Sequence, residues 1–273
     1  MQAMVKTEQR EAARRGLLEI QLAAAWMLLR RDLVRFFRQR SRIVGALLQP
    51  LIFWLVIGSG LSGSFRMPSG QPIGYMQYFY PGTLVLVVLF TSIFTTMSVI
   101  EDRQRGFLQA VLTAPVARLS LVLGKSAGSV AIALLQGALF LLLSPLAGFA
   151  PTAVNWPLLA LALALIGLSL SSVGFAIAWW LNSTQGYHVL MTVLLIPLWI
   201  LSGAMFPPEG ARSWLRTLMN WNPLAYGVGL VRSALHGGAG AALPLSTGLE
   251  LLVVAGFAAA AVALASAVCS RRT

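Results

Sequence analysis

EDRQRGFLQAVLTAPVARLSLVLGK, from Glu101 to Lys125, is a charged island in a chain that is otherwise nearly free of charge. No Asp, Glu, Lys or Arg occurs between Arg66 and Glu101, and none between Lys125 and Glu209. A soluble helix keeps a polar face toward water, and soluble domains carry about 25% charged residues. Here 58% of the 273 residues are hydrophobic and 10% are charged, with a mean hydropathy of +0.78. These values predict an all-α integral membrane protein, with the island as a handle outside the bilayer.

About twenty apolar residues cross the hydrocarbon. Outward from the island the chain supplies six such runs: Ile43 to Gly63, Pro81 to Ile100, Leu119 to Leu143, Pro157 to Leu181, Tyr187 to Phe206 and Thr247 to Ser270. Pro50 is expected to bend the first. Tyr75, Tyr78, Phe79 and Tyr80 read as an interfacial aromatic belt ahead of the second. Gly124-x-x-x-Gly128 opens the third and permits close helix contact. The fifth ends at Pro207 and Pro208. Beyond it, Arg212, Arg216 and Arg232 flank an uncharged stretch too short to cross. Within that stretch Asn222 is placed to cap a helix with Pro223 at its first position. Trp221 and Tyr226 are spaced for a hydrophobic staple, and Gly237 and Gly238 end the helix. A pair of short helices that enters the membrane without crossing it is therefore predicted between spans five and six.

Residues 1–42 precede the spans, and residues 43–273 form the transmembrane domain. Met1 to Arg15 reads as a polar, mobile tail. From Leu17 a helix is predicted, with Leu18, Leu22, Trp26, Leu29, Leu33 and Phe36 on one side and Arg31, Arg35, Arg38 and Arg42 on the other. That pattern suits an amphipathic helix in the headgroup plane, or one packed on a partner in the cytosol.

The formal net charge is +12, and ten of the twenty basic residues lie in residues 1–42. This distribution fits anionic lipid headgroups and bilayer orientation rather than nucleic acid. With six spans, sixteen basic residues fall on one side: the ten N-terminal ones, Arg103, Arg105, Arg118, Lys125, Arg271 and Arg272. Only Arg66, Arg212, Arg216 and Arg232 fall on the other, so both termini and the island are predicted to be cytoplasmic.

Within the island, Arg103 to Ala114 has a helical texture. Phe107 and Val111 share a flank, as do Leu108 and Leu112. Glu101, Asp102, Arg103 and Arg105 crowd the start, and Pro115 ends the element. On these grounds alone it is either an amphipathic loop or a docking helix.

The island as E-D-R-Q-R-G-F-L-Q-A-V-L-x-A-P-x-x-R-L-x-x-x-L-G-K, I-P-L-W-I-L-S-G-A-M-F-P-P from Ile196 to Pro208, and N-P-L-A-Y-G-V-G-L-V-R from Asn222 to Arg232 together resemble type-2 ABC exporter permeases of the drug-efflux and lipooligosaccharide-export kind. The resemblance implies a cytoplasmic coupling helix at about residues 101–115. Glu101, Asp102, Arg103, Arg105, Gly106, Phe107, Leu108, Val111 and Leu112 would dock it into a separate ATP-binding-cassette subunit. It implies an outer gate built from Gly203, Phe206, Pro207, Asn222, Pro223, Tyr226 and Arg232. It further implies a homodimer of permeases with two ATPase subunits in the cell's inner membrane, ATP and Mg on those subunits, and export of a hydrophobic or amphipathic substrate between the permeases. Many relatives carry Glu-x-Glu before the glycine matching Gly106. Here Asp102 and Gln104 stand there, which shifts attention to Glu101 and Asp102.

The remaining polar signals are weak. Gly124-Lys125-Ser126 resembles the tail of a phosphate-binding loop, but the first glycine of that motif would fall at Leu119. Lys125 is instead expected to snorkel to the interface. His188 and His236 are isolated and read as structural rather than metal-binding, and Cys269 has no disulfide partner. Glu250 is the one carboxylate in a span and a functional candidate by default. Its place near the outer end predicts an ion pair with Arg232 or Arg212. Trp54, Phe90 and Trp199 line a substrate path or pack helices. No catalytic constellation occurs, so no enzyme activity, bound cofactor or metal is expected of this chain. A secondary transporter is the alternative, and it would need more ionisable residues within the spans than Glu250.

Overall fold

Helix α3 (Tyr75–Thr96) is the hub, and its uncharged sequence lets protein surround it on all sides. The computed structural model describes residues 2–38, 40–66, 73–108, 113, 117–236 and 246–271, with side chains for 19–38, 44–66, 73–108, 113, 117–236 and 246–270. Around α3 stand α2 (Arg40–Leu61), α5 (Arg118–Leu141) and α6 (Trp156–Trp180). The segment α4 (Ser98–Gln104) continues α3 beyond Met97. Helix α1 (Gln2–Arg38) lies on α5, and α10 (Thr247–Arg271) lies on α6. Helix α7 (Thr184–Trp199) runs into a π turn at Ile200–Ala204, and the short helices α8 (Ser213–Trp221) and α9 (Pro223–Leu235) follow.

Among the described residues six helices are long and apolar enough to cross a membrane, and they coincide in order with the six predicted spans. The span through α3 is 89% buried, whereas those of α2 and α10 are 17% and 22% buried. The latter two therefore form the rim, with faces free for lipid.

Two sequence expectations change. Tyr75, Tyr78, Phe79 and Tyr80 are not an interfacial belt but interior residues in the first turns of α3. A tyrosine can be buried when its hydroxyl finds an acceptor. Tyr75 donates to the Met205 carbonyl at 3.0 Å, Tyr78 to Gly203 at 2.8 Å and Tyr80 to Phe140 at 2.8 Å. The polar tail is also replaced, because α1 is helical from Gln2.

The buried stripe of α1 is Ala24, Leu28, Asp32 and Phe36, while Leu22 and Trp26 from the predicted apolar face are exposed. Lipid is as apolar as leucine, so small residues that let backbones approach decide helix contacts. Gly124 sits so close to α1 that a Cβ there would lie 2.8 Å from the Ala25 Cα, and one on Gly128 would lie 3.5 Å from the Leu29 Cα. The glycine pair thus selects the face, and the larger apolar side chains are left outside. Gly124→Leu is expected to force α1 off α5 and to cost at least the ~1–3 kcal/mol of an overpacked core. Gly256→Leu, where the added side chain meets open space, should leave the thermal midpoint of the purified protein unchanged.

Candidate functional site

Helix α4 reaches the island from the core. It ends at a turn in which Arg105 N–H donates to the Glu101 carbonyl and Gly106 N–H to that of Arg103, at 3.0 and 3.1 Å. Gly106 has φ +75°, a left-handed conformation in which glycine avoids the Cβ penalty. The single helix predicted from Arg103 to Ala114 is therefore interrupted at this glycine. Phe107 and Leu108 follow it with different fates. Leu108 is 2% exposed and anchored in the body, whereas Phe107 is 37% exposed with the Arg31 guanidinium 4.0 Å above its ring. Val111, Leu112 and Pro115 lie outside the described residues.

Behind this turn a buried ion cluster joins three helices. Lys125 on α5 is 2% exposed and does not snorkel. Its ammonium donates to Asp102 on α4 at 2.6 Å, to Asp32 on α1 at 3.1 Å and to the Ser98 hydroxyl at 3.2 Å. Three donors meet three acceptors, which holds the charge inside more favourably than extension to the interface. Arg31 pairs with Asp102 and, at 3.2 Å, with Asp32. Arg35 reaches Glu101 at 2.8 Å and Asp102 at 3.6 Å, and Arg105 lies 3.9 Å from Glu101. Asp32 and Ser98 were not singled out from the sequence. The one available signal was a lone acid interrupting the arginine stripe of α1.

The other flank of α4 is tied to the turn between α6 and α7. Arg103 donates to the Trp179 carbonyl at 2.7 Å and to the Asn182 side chain at 3.0 Å, and Gln104 donates to the Asn182 carbonyl at 2.8 Å. The Trp179 acceptor is one of the last carbonyls of α6, where a cation is favoured. The turn carrying Phe107 is thus clamped to α1, α5 and the α6–α7 turn at once. Displacing it displaces them.

At the opposite end of α3, the fifth span breaks. Gly203 in the π turn has φ +77°, and the break releases carbonyls that must find donors within the membrane. Asn222 donates to Leu198 at 2.7 Å, and Tyr78 and Arg232 donate to Gly203 at 2.8 and 3.3 Å. The Arg232 guanidinium lies 4.2 Å over the Tyr78 ring. Asn222 also accepts from Leu224 N–H at 3.0 Å and caps α9, with Pro223 at its first position. Trp221 is 84% exposed, so no staple forms, and Tyr226 instead donates to the Asn220 carbonyl at 2.8 Å. Gly237 and Gly238 lie outside the described residues. Asn222→Ala removes both a cap and the donor to Leu198, and is expected to cost roughly 2–3 kcal/mol. Asn222→Ser, which keeps a neutral side-chain oxygen for the cap, should cost less in the same thermal-unfolding measurement.

Phe206 and Pro207 line an open cavity of about 620 Å³ with Arg66, Tyr75 and Arg212. Glu250 is fully buried against Gly229, and neither carboxylate oxygen has a hydrogen-bond partner among the described residues. No ion pair with Arg232 or Arg212 forms among the described residues; one Arg232 guanidinium nitrogen is turned to the Tyr78 and Gly203 carbonyls. Trp54 and Trp199 are 2% exposed and donate to the Met76 and Gly82 carbonyls, so both serve packing. Phe90 lines a second cavity of about 290 Å³ between α1, α2, α3, α5 and α7, with Phe94, Gln136 and His188. His236 is held by a 3.0 Å contact between its Nδ1 and the Arg232 carbonyl, and burial pushes its imidazole below the ordinary range.

An apolar six-helix body, a fifth span that breaks into a returning helical pair, and a clamped polar turn at the other end of the hub helix define a multi-pass membrane transport protein. The chain belongs to the ABC-2 type transporter family, whose pattern matches residues 23–236. It is 25% identical to the daunorubicin resistance ABC transporter permease protein DrrB1 of Streptomyces coeruleorubidus over 231 residues, covering 84% of this chain and 80% of that one. It is 26% identical to nodulation protein J of Sinorhizobium fredii over 213 residues, covering 76% of this chain and 79% of that one.

Proposed function

We propose that this ABC-2 permease is the transmembrane subunit of an exporter driven by a separate ATP-binding-cassette ATPase. Two copies of the chain and two ATPases form the working unit, in the cell's inner membrane with both termini cytoplasmic. ATP and Mg are held by the partner, and this chain contributes no hydrolytic site. The observation that carries this reading is the exposed Phe107 on a turn whose residues are ion-paired to α1 and α5 and hydrogen-bonded to the α6–α7 turn. A groove that grips Phe107 and moves it would tilt the spans attached to it.

A hydrophobic or amphipathic cargo is supported by the cavity at Phe90. The Phe90 and Phe94 rings stack at 5.4 Å, and His188 lies 4.7 Å from Phe94. Thr91 donates to the Gln136 side-chain oxygen, and the buried Gln136 amide nitrogen has no partner among the described residues. Flat rings with one unfilled donor suit a planar apolar molecule bearing a carbonyl or hydroxyl, in keeping with the daunorubicin resistance named for a relative.

The test is co-reconstitution of the permease with its ATPase in proteoliposomes. Hydrolysis should rise with a planar amphipathic drug, and the rise should disappear in Phe90→Ala/Gln136→Leu. Transport that ignores ATP and collapses with an uncoupler would overturn the reading in favour of a secondary transporter.

A further inference from the structure

A pocket of about 380 Å³ opens beside the ion cluster, lined by Arg31, Val34, Arg35, Arg38, Asp102, Arg105 and Phe107. Its charge is not balanced from within. The cluster and pocket together hold five cations, Arg31, Arg35, Arg38, Arg105 and Lys125, against three acids, Asp32, Glu101 and Asp102. Arg38 forms no ion pair among the described residues, and Arg105 has only the 3.9 Å approach to Glu101 with its side chain 66% exposed. The Arg31 Nε is buried and has no acceptor among the described residues. One wall is Val34, which belongs to the exposed apolar stripe of α1 along with Trp26, Met27 and Phe37.

We propose that this pocket binds the phosphate headgroup of an anionic phospholipid, with Arg31, Arg35, Arg38 and Arg105 around the phosphate and the acyl chains along the Val34 and Phe37 side of α1. Basic pockets at a membrane surface attract anionic headgroups, and arginine forks match phosphate oxygens. A carboxylate on a soluble partner would satisfy the charge but would leave the adjoining apolar stripe uncovered. A phospholipid supplies both halves. Bound there, it would supply the negative charge that the cluster lacks and would stiffen the contact between α1 and the turn at Gly106. The site stands apart from the proposed transport cargo, because it lies at the ion cluster and not at the Phe90 cavity.

The test is native mass spectrometry on the full-length permease in detergent, offered equal amounts of dioleoyl phosphatidylglycerol and dioleoyl phosphatidylcholine. Phosphatidylglycerol should be retained preferentially. Arg38→Gln/Arg105→Gln, which leaves the inner ion pairs in place, should weaken its binding roughly fivefold per arginine, about 25-fold in all, without altering phosphatidylcholine. Arg30→Gln/Arg66→Gln removes the same charge outside the pocket and should leave the preference intact. Equal retention of the two lipids, or equal loss in both double variants, would overturn the proposal. Displacement of the lipid by millimolar inorganic phosphate would reassign the pocket to free anions. A pocket variant that keeps the full preference for phosphatidylglycerol would likewise overturn the proposal.

Discussion

Lys125→Met is expected to be the most destabilising single substitution in the half of the molecule that carries the turn at Gly106, costing about 3–5 kcal/mol. The side chains of Asp32 and Asp102 are 3% and 4% exposed, and methionine would leave two desolvated carboxylates sharing Arg31, with Arg35 3.6 Å from Asp102 alone. Breaking a buried pair from one side strands the remaining charge, whereas removing both partners restores the balance. The double variant Lys125→Met/Asp32→Asn should therefore recover more than half of the lost stability. Thermal unfolding of the four proteins in a double-mutant cycle measures this coupling. If the two substitutions simply add, the ammonium is not the common partner of both acids.

Phe107→Asp should behave in the opposite way, leaving the fold intact and abolishing coupling. Phe107 is partly exposed and makes one described ring contact, with Arg31, so its loss removes little from the body. If it is the aromatic anchor in the ATPase groove, replacing it with a charge removes a hot spot of at least ~2 kcal/mol. That corresponds to about 30-fold weaker engagement, read as drug-stimulated ATP hydrolysis lost at ordinary protein concentrations. The neighbouring Leu108→Asp should fail differently, because Leu108 is 2% exposed. A buried carboxylate without a partner destabilises the permease itself, so the protein should be lost from the membrane before coupling can be measured.

The contrast between these neighbours shows where sequence reading reached its limit. The six spans, the returning pair after Pro207 and the cap at Asn222 were legible because each depends on local composition: uncharged runs, proline positions and an Asn-Pro step. The island was legible as a site because charge is rare in this chain. The partition of Phe107 from Leu108 was not, since it depends on Gly106 adopting a left-handed turn that breaks the expected helix. Lys125 was misread for a related reason. Snorkelling is a rule for an isolated lysine near a membrane surface. Here Asp32 and Asp102, 93 and 23 residues away in sequence, converge on it through packing at Gly124 and Gly128. The buried face of α1 was displaced because the close approach at Gly124 and Gly128 selects it, and hydrophobicity along α1 does not reveal that contact. The interior role of Tyr75 and Tyr78 required knowing that the π turn at Gly203 would present carbonyls to them.

The central claim is that the turn at Gly106 and Phe107 is the surface gripped by the ATP-binding subunit, while the Asn222 end of the molecule faces away from it. Site-directed cross-linking tests this most directly. In a Cys269→Ser background, single cysteines at Phe107 and at the exposed Trp221 are labelled on the purified permease with a maleimide–benzophenone, and the complex is reassembled with the ATPase in membranes and irradiated, so that the ketone inserts into a C–H of any neighbouring residue. A covalent adduct between permease and ATPase is expected from position 107 and none from position 221. An adduct from position 221, or none from position 107 while the two subunits still co-purify, would contradict the account.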